Sequence, residues 1–99
     1  MCRSPALSGA RENMYYVYVL KSPLADTVYI GFSANLKQRI EQHKSHPMHK
    51  GWSLAYYEAY LAEKDARDRE RKLKYYGTSL GHLMARIQYS LAKALERAG

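Results

Sequence analysis

Apolar positions change their period several times along the chain, and the changes mark its elements. Residues 14–21 (MYYVYVLK) are β-branched and aromatic on both faces, the pattern of a buried central strand. Residues 22–26 (SPLAD) form a turn, with Pro23 fixing φ and Asp26 as the capping side chain. Residues 27–32 (TVYIGF) supply a second strand, so the pair is expected to be a hairpin. Gly31 near its end permits a close approach that a side chain would resist. The period then lengthens. Leu36, Ile40 and His43 share one face of a helix over about 35–45, with Ser33 or Asn35 as its cap and Arg39 bordering that face. Residues 45–51 (SHPMHKG) read as a loop and 52–60 (WSLAYYEAY) as a third strand.

A helix over about 62–76 has a weak stripe of Ala62, Ala66 and Leu73, and helical geometry projects Glu70 onto that stripe. Gly77 is expected to close this helix as a C-terminal cap. Ser79 then starts a single last helix with Leu80, Leu83, Met84, Ile87, Leu91, Ala94 and Leu95 at 3-4 spacing. The order is β-β-α-β-α-α, an α+β fold with a small three-stranded antiparallel sheet flanked by helices.

Length adds that 99 residues suffice for one core, taken as a single domain over 14–99 behind a flexible N-terminal arm, residues 1–13. Met14, directly before the first strand, is an alternative start. A formal charge of +7 favours polyanionic partners, nucleic acid above all. The one cysteine, Cys2, forms neither an internal disulfide nor a zinc site, which fits a cytoplasmic protein. No apolar run approaches the ~20 residues of a membrane span. Ten tyrosines against one Phe raise the question of what the hydroxyls do.

Four side-chain types carry candidate chemistry, each beside a plainer role. Arg39 either lays its stem over the core edge or aims its fork at phosphate. Glu70, a carboxylate on a buried stripe, needs either an arginine such as Arg39 or a divalent cation. Tyr18 and Tyr29 either pack or present hydroxyls to a site. His43 is either a hydrogen-bonded imidazole or an acid–base group. His46 and His49 have loose spacing and read as part of a solvated loop rather than a zinc site.

Together these residues carry a resemblance. Tyr16-Val17-Tyr18 followed by Val28-Tyr29-Ile30-Gly31, then Arg39 in the first helix and Glu70 in the second, resembles the GIY-YIG nuclease family over about residues 14–83. Tyr16 and Val17 stand where the family has Gly and Ile, and no asparagine follows Glu70. The resemblance is to small stand-alone members. It implies an endonuclease that hydrolyses DNA phosphodiesters by nicking or structure-selective cleavage, in DNA-repair-like roles. The implied catalytic set is Tyr18, Tyr29, Arg39, His43 and Glu70, with Glu70 holding Mg²⁺ or Mn²⁺. All are expected to converge on one cleft, with His43 at its edge. RNA is the alternative substrate, and a non-catalytic nucleic-acid-binding adaptor is the alternative function. The last helix is a candidate surface for a protein partner or self-association.

Overall fold

The computed structural model describes residues 14–98. The predicted N-terminal arm lies outside the described residues. Strand β1 (Tyr15–Lys21) pairs antiparallel with β2 (Val28–Ser33) and with β3 (Ser53–Tyr60), giving the sheet order β2-β1-β3. The central strand is therefore the one whose sequence is apolar on both faces, as expected. The hairpin turn is tied by Ser22 N–H donating to Thr27 O at 3.1 Å and by Lys21 Nζ donating to Ser22 O at 3.0 Å. Leu24 N–H donates to Ser22 Oγ at 3.2 Å, so Ser22 takes the capping part predicted for Asp26. β1 and β3 shift register between Val19 and Leu20, a bulge that leaves Ala55 as the extra residue.

Helix α1 (Leu36–Ser45) is capped by Asn35, whose side-chain oxygen accepts from Gln38 N–H at 3.1 Å. Ser33 Oγ braces the entry by accepting from Asn35 N–H at 2.9 Å. A 3₁₀ turn, Pro47–His49, leads into β3. Helices α2 (Glu63–Tyr75), α3 (Gly77–Arg86) and α4 (Gln88–Ala98) follow. None of these helices is long and apolar enough to cross a membrane.

Strand alternation sorts the sheet into two faces. Val17, Val19 and Ile30 share the face that packs against Ala66, Leu73, Leu83 and Leu91 of the last three helices and Ile87 between the last two. Tyr16, Tyr18, Tyr29 and Gly31 lie on the opposite face, where α1 and the 3₁₀ turn sit.

Two helix boundaries differ from the expectation. The last apolar stripe belongs to two helices, because the backbone leaves helical geometry at Ile87 (φ −111°, ψ 26°). This bend keeps Leu83, Ile87, Leu91 and Ala94 all buried around a small curved core. Gly77 is the first residue of α3 rather than a left-handed cap of α2, and the capping position is Tyr76 in extended conformation. Of the described glycines only Gly51 has positive φ.

A polar cluster fastens β3 to α2. Arg69 reaches Glu58 through three N–H contacts of 3.1–3.2 Å. Tyr56 Oη donates to the same carboxylate at 2.7 Å, and Tyr60 Oη also donates to it. Burial alone would raise the Glu58 carboxyl, but Arg69 and the two hydroxyls hold it below the usual carboxylate range. Both phenols are in turn pushed up to about 12, first by burial and then by donating to the carboxylate.

Because the folded value of Glu58 is depressed, its contribution is present at neutral pH and is lost as pH falls through that folded value. Urea unfolding from pH 7 to pH 3 should therefore show stability falling with acid. Glu58→Gln should be less stable at pH 7, since Arg69 loses its carboxylate, and should show a flatter acid slope. An unchanged slope in the variant would exclude Glu58 as a source of the acid sensitivity.

Candidate active site

The site begins with a missing side chain. Gly31 on edge strand β2 is the cross-strand partner of Tyr18 on β1. The tip of the Tyr18 ring fills the space where a Cβ would stand, so that a Cβ built on Gly31 would overlap Cζ and Oη and lie 2.8 Å from Cε1. Tyr18 thus lies flat across β2 and is fully buried, 0% exposed. Its hydroxyl meets His43 Nε2 of α1 at 2.8 Å.

Around this bond the aromatic rings close in. The Tyr29 ring centroid is 6.3 Å from that of Tyr18 and 5.1 Å from that of His43. His49, from the 3₁₀ turn, has its centroid 4.7 Å from both Tyr29 and His43, and Trp52 backs it at 5.0 Å. His49 Nδ1 faces His43 Nδ1 at 3.1 Å. An open groove of about 320 Å³ is lined by Tyr29, Arg39, Gln42, His43, His46, Met48 and His49. Arg39 is exposed and has no ion-pair partner among the described residues.

Glu70 approaches from α2. Ala66 and Leu73 define the inward direction of that helix. Arg69 lies on one flank, bound to Glu58 of β3. Arg67 lies on the other, its guanidinium 4.2 Å from the Phe32 ring of β2. At 3.6 residues per turn Glu70 falls between the inward direction and Arg67, on the β2 flank. It is 19% exposed and pairs with Lys74 at 3.0 Å, not with Arg39.

The electrostatics tie these groups together. Burial pushes the Tyr18 hydroxyl up to about 12, Tyr29 and the Glu70 charge add to this, and Arg39 pulls the other way. His43 is held below its ordinary value by burial and by the positive potential of His49, Arg39 and His46. His49 is lowered by burial and by His46.

Tyr29, Arg39 and His43 therefore line one groove, with Tyr18 bonded to His43 behind it, while Glu70 is not among the groove's lining residues and pairs with Lys74 on the β2 flank of α2. His43 stands at the centre of this arrangement instead of at the edge expected for it. The loop histidines also depart from expectation. His46 Nδ1 accepts from Met48 N–H at 3.1 Å, which shapes the 3₁₀ turn, and the turn carries His49 inward. Sequence spacing held no signal for that contact. For Glu58 the sequence does hold a signal, since Tyr56, Glu58 and Tyr60 alternate at the strand period that puts all three on one face.

No set of three His, Cys, Asp or Glu side chains among the described residues forms a metal cage. The donor chemistry at Glu70 fits a hard divalent ion held by one carboxylate, with water and substrate oxygens completing its shell, better than a closed zinc site. A second groove, about 350 Å³ between β3 and α4, is lined by Leu54, Ala55, Tyr89, Ser90, Lys93 and Ala94 and lies apart from these groups.

Comparison with known proteins agrees with the geometry. Residues 14–79 match the family model described as GIY-YIG catalytic domain. The chain is 37% identical over 82 residues to the "UPF0213 protein in ldhD 5'region" of Pediococcus acidilactici, covering 65% of this chain and 82% of that protein. No solved structure matches.

Gly31→Ala should place a methyl group against the Tyr18 ring and destabilise the fold by about 1–3 kcal/mol, the usual cost of overpacking. The Tyr18–His43 bond should break with it. Urea unfolding and the His43 imidazole ¹⁵N shifts check both; wild-type values for each would refute the close approach.

Proposed function

The chain belongs to the GIY-YIG family, and we propose from that membership that it is a metal-dependent endonuclease cutting DNA by nicking or structure-selective cleavage. Residues 14–99 form its one nuclease domain, acting in the cytoplasm in a repair-like role. The observation that carries this reading is the groove itself, where Arg39, exposed and without an ion-pair partner among the described residues, lies beside Tyr29 and His43 on a chain of net charge +7.

Each residue has a part that its position supports. Arg39, exposed and without a carboxylate partner, grips a non-bridging phosphate oxygen whose charge grows in the transition state. Tyr29, part-exposed at the groove, orients the attacking water and, in its phenolate form, accepts the water's proton to become the neutral phenol. Tyr18 is too deeply buried to touch water, and both nitrogens of His43 face protein partners. These two therefore position the site rather than take that proton. Glu70 is the residue that would hold Mg²⁺ or Mn²⁺. Such an ion, when bound, supplies charge for the phosphate and the leaving oxygen. With no motif for reading base edges, affinity comes from phosphate contacts and carries little sequence preference.

Supercoiled plasmid should be nicked with Mg²⁺ and not with EDTA. Arg39→Ala should lower the rate about 10²–10³-fold, as for other donors aimed at developing charge. Glu70→Gln should abolish nicking while its melting temperature stays near wild type, because a helix-surface pair with Lys74 contributes at most about 0.5 kcal/mol. Duplex binding should persist in this variant and fall steeply between 50 and 200 mM salt, roughly in the manner of phosphate-driven association. Full nicking by folded Glu70→Gln would refute the assigned role. Binding of DNA or RNA without any cleavage by the wild type would support the adaptor function instead.

A further inference from the structure

His49 is in no part of the catalytic set argued above, yet its ring touches three members of the groove. What it does follows from where the protons must sit. The Tyr18 hydroxyl is fully buried, and His43 Nε2 is its one hydrogen-bond partner among the described residues. A buried hydroxyl that withheld its proton from that partner would leave an unsatisfied donor. Tyr18 therefore donates, and His43 Nε2 accepts with a bare lone pair.

A neutral imidazole that is bare at Nε2 carries its proton at Nδ1. His43 Nδ1–H then points at His49 Nδ1, 3.1 Å away, which must accept. His49 is left with its proton on Nε2, a nitrogen with no partner among the described residues, on a ring that lines the groove beside Arg39.

We propose that His49 is a second phosphate-oxygen donor of this groove, its Nε2–H fixed by a one-directional chain from Tyr18 through His43. The inference rests on the nuclease reading for its substrate, a phosphodiester, while the proton order stands on the protein's own geometry. Arg39 supplies charge, and His49 supplies a neutral, directional hydrogen bond. Each bond in the chain polarises the next, which strengthens the outermost donor.

The groups facing the two imidazoles are Tyr18 from β1, Tyr29 from β2, Arg39 from α1 and His46 from the turn. Two of these are cationic or can become so, and burial acts in the same sense. Both rings accordingly stay neutral at pH 7, which the chain needs. In acid, a proton added to His49 Nδ1 would set two N–H groups against each other at 3.1 Å, and one added to His43 Nε2 would reverse the bond from Tyr18; either change breaks the chain.

Imidazole ¹⁵N spectra of the free protein at pH 7.5 test the proton order without reference to activity. His43 should be the Nδ1–H tautomer and His49 the Nε2–H tautomer. Tyr18→Phe should release His43 from that tautomer, and the change should propagate to His49. Finding His49 protonated at Nδ1, or unmoved by Tyr18→Phe, would overturn the chain. Titration with a short DNA duplex in EDTA should shift His49 Nε2, and an unshifted Nε2 in a duplex-bound protein would overturn the donor role.

In the plasmid assay His49→Ala should lower kcat/KM about 10- to 100-fold, the worth of one hydrogen bond to a charged group. His49→Gln, whose terminal amide can donate from nearly the same place, should recover part of it. His49→Ala at the wild-type rate would overturn the inference while leaving the nuclease reading intact. A wild type that binds but never cuts would sink the nuclease reading, and the spectra would still decide the proton order.

Discussion

The absence of a side chain at Gly31 is the constraint on which the rest of the site depends. A tyrosine on a central strand ordinarily stands up from the sheet and packs over its neighbours. Here it lies down, because the adjacent edge strand offers a bare backbone beneath it. That posture carries the Tyr18 hydroxyl off the middle of the sheet and toward the β2 edge. There His43 of α1 reaches it. Hydroxyl and imidazole are thereby joined over the edge strand. Any residue larger than glycine would restore the usual posture and separate them.

The two faces do different work, and each uses a buried polar network for it. On the helix-covered face, Glu58 is surrounded by Arg69, Tyr56 and Tyr60, a charge held by three donors so that its burial is tolerable. This joins β3 to α2 and fixes the rotation of α2 about its axis. With Arg69 pinned toward β3, Glu70 is turned toward β2. The clamp on one face thereby sets which way the candidate metal ligand points. The other face joins a phenol and two imidazoles in series, and the cation lining the groove beside them is Arg39.

Much of this was legible in the sequence, and what was legible is local. The strand with no polar face became the central strand. The i, i+4 relation of Arg39 and His43 put both beside one groove. The lone carboxylate on an apolar stripe marked Glu70. Contacts set by chain direction beyond a helix or strand were not legible. His49 reaches His43 only because Pro47 and the His46 cap curl the loop into a 3₁₀ turn, and no period records that. The split at Ile87 is similarly a tertiary effect. The stripe continues without a breaker residue, and only the curvature of the core bends it. Gly77 misled because glycine near a helix end is usually a left-handed cap, whereas here it merely opens the next helix.

The tyrosine excess also finds a physical account. Phe at 56 or 60 would leave the Glu58 carboxylate short of a donor, and Phe at 18 would leave His43 without the proton that orders its tautomer. In each place the ring is packed as a phenylalanine would be, while the oxygen closes a network that otherwise has an open end. Raising these phenols to about 12 has a consequence for Tyr18 in particular. Burial favours the protonated phenol, which suits Tyr18 as the donor to His43. Under the proposed nuclease function, a site for a polyanion gains from this. The buried end of the chain brings no negative charge to repel phosphate, and the proton order it imposes ends in a donor, not an acceptor, at the groove.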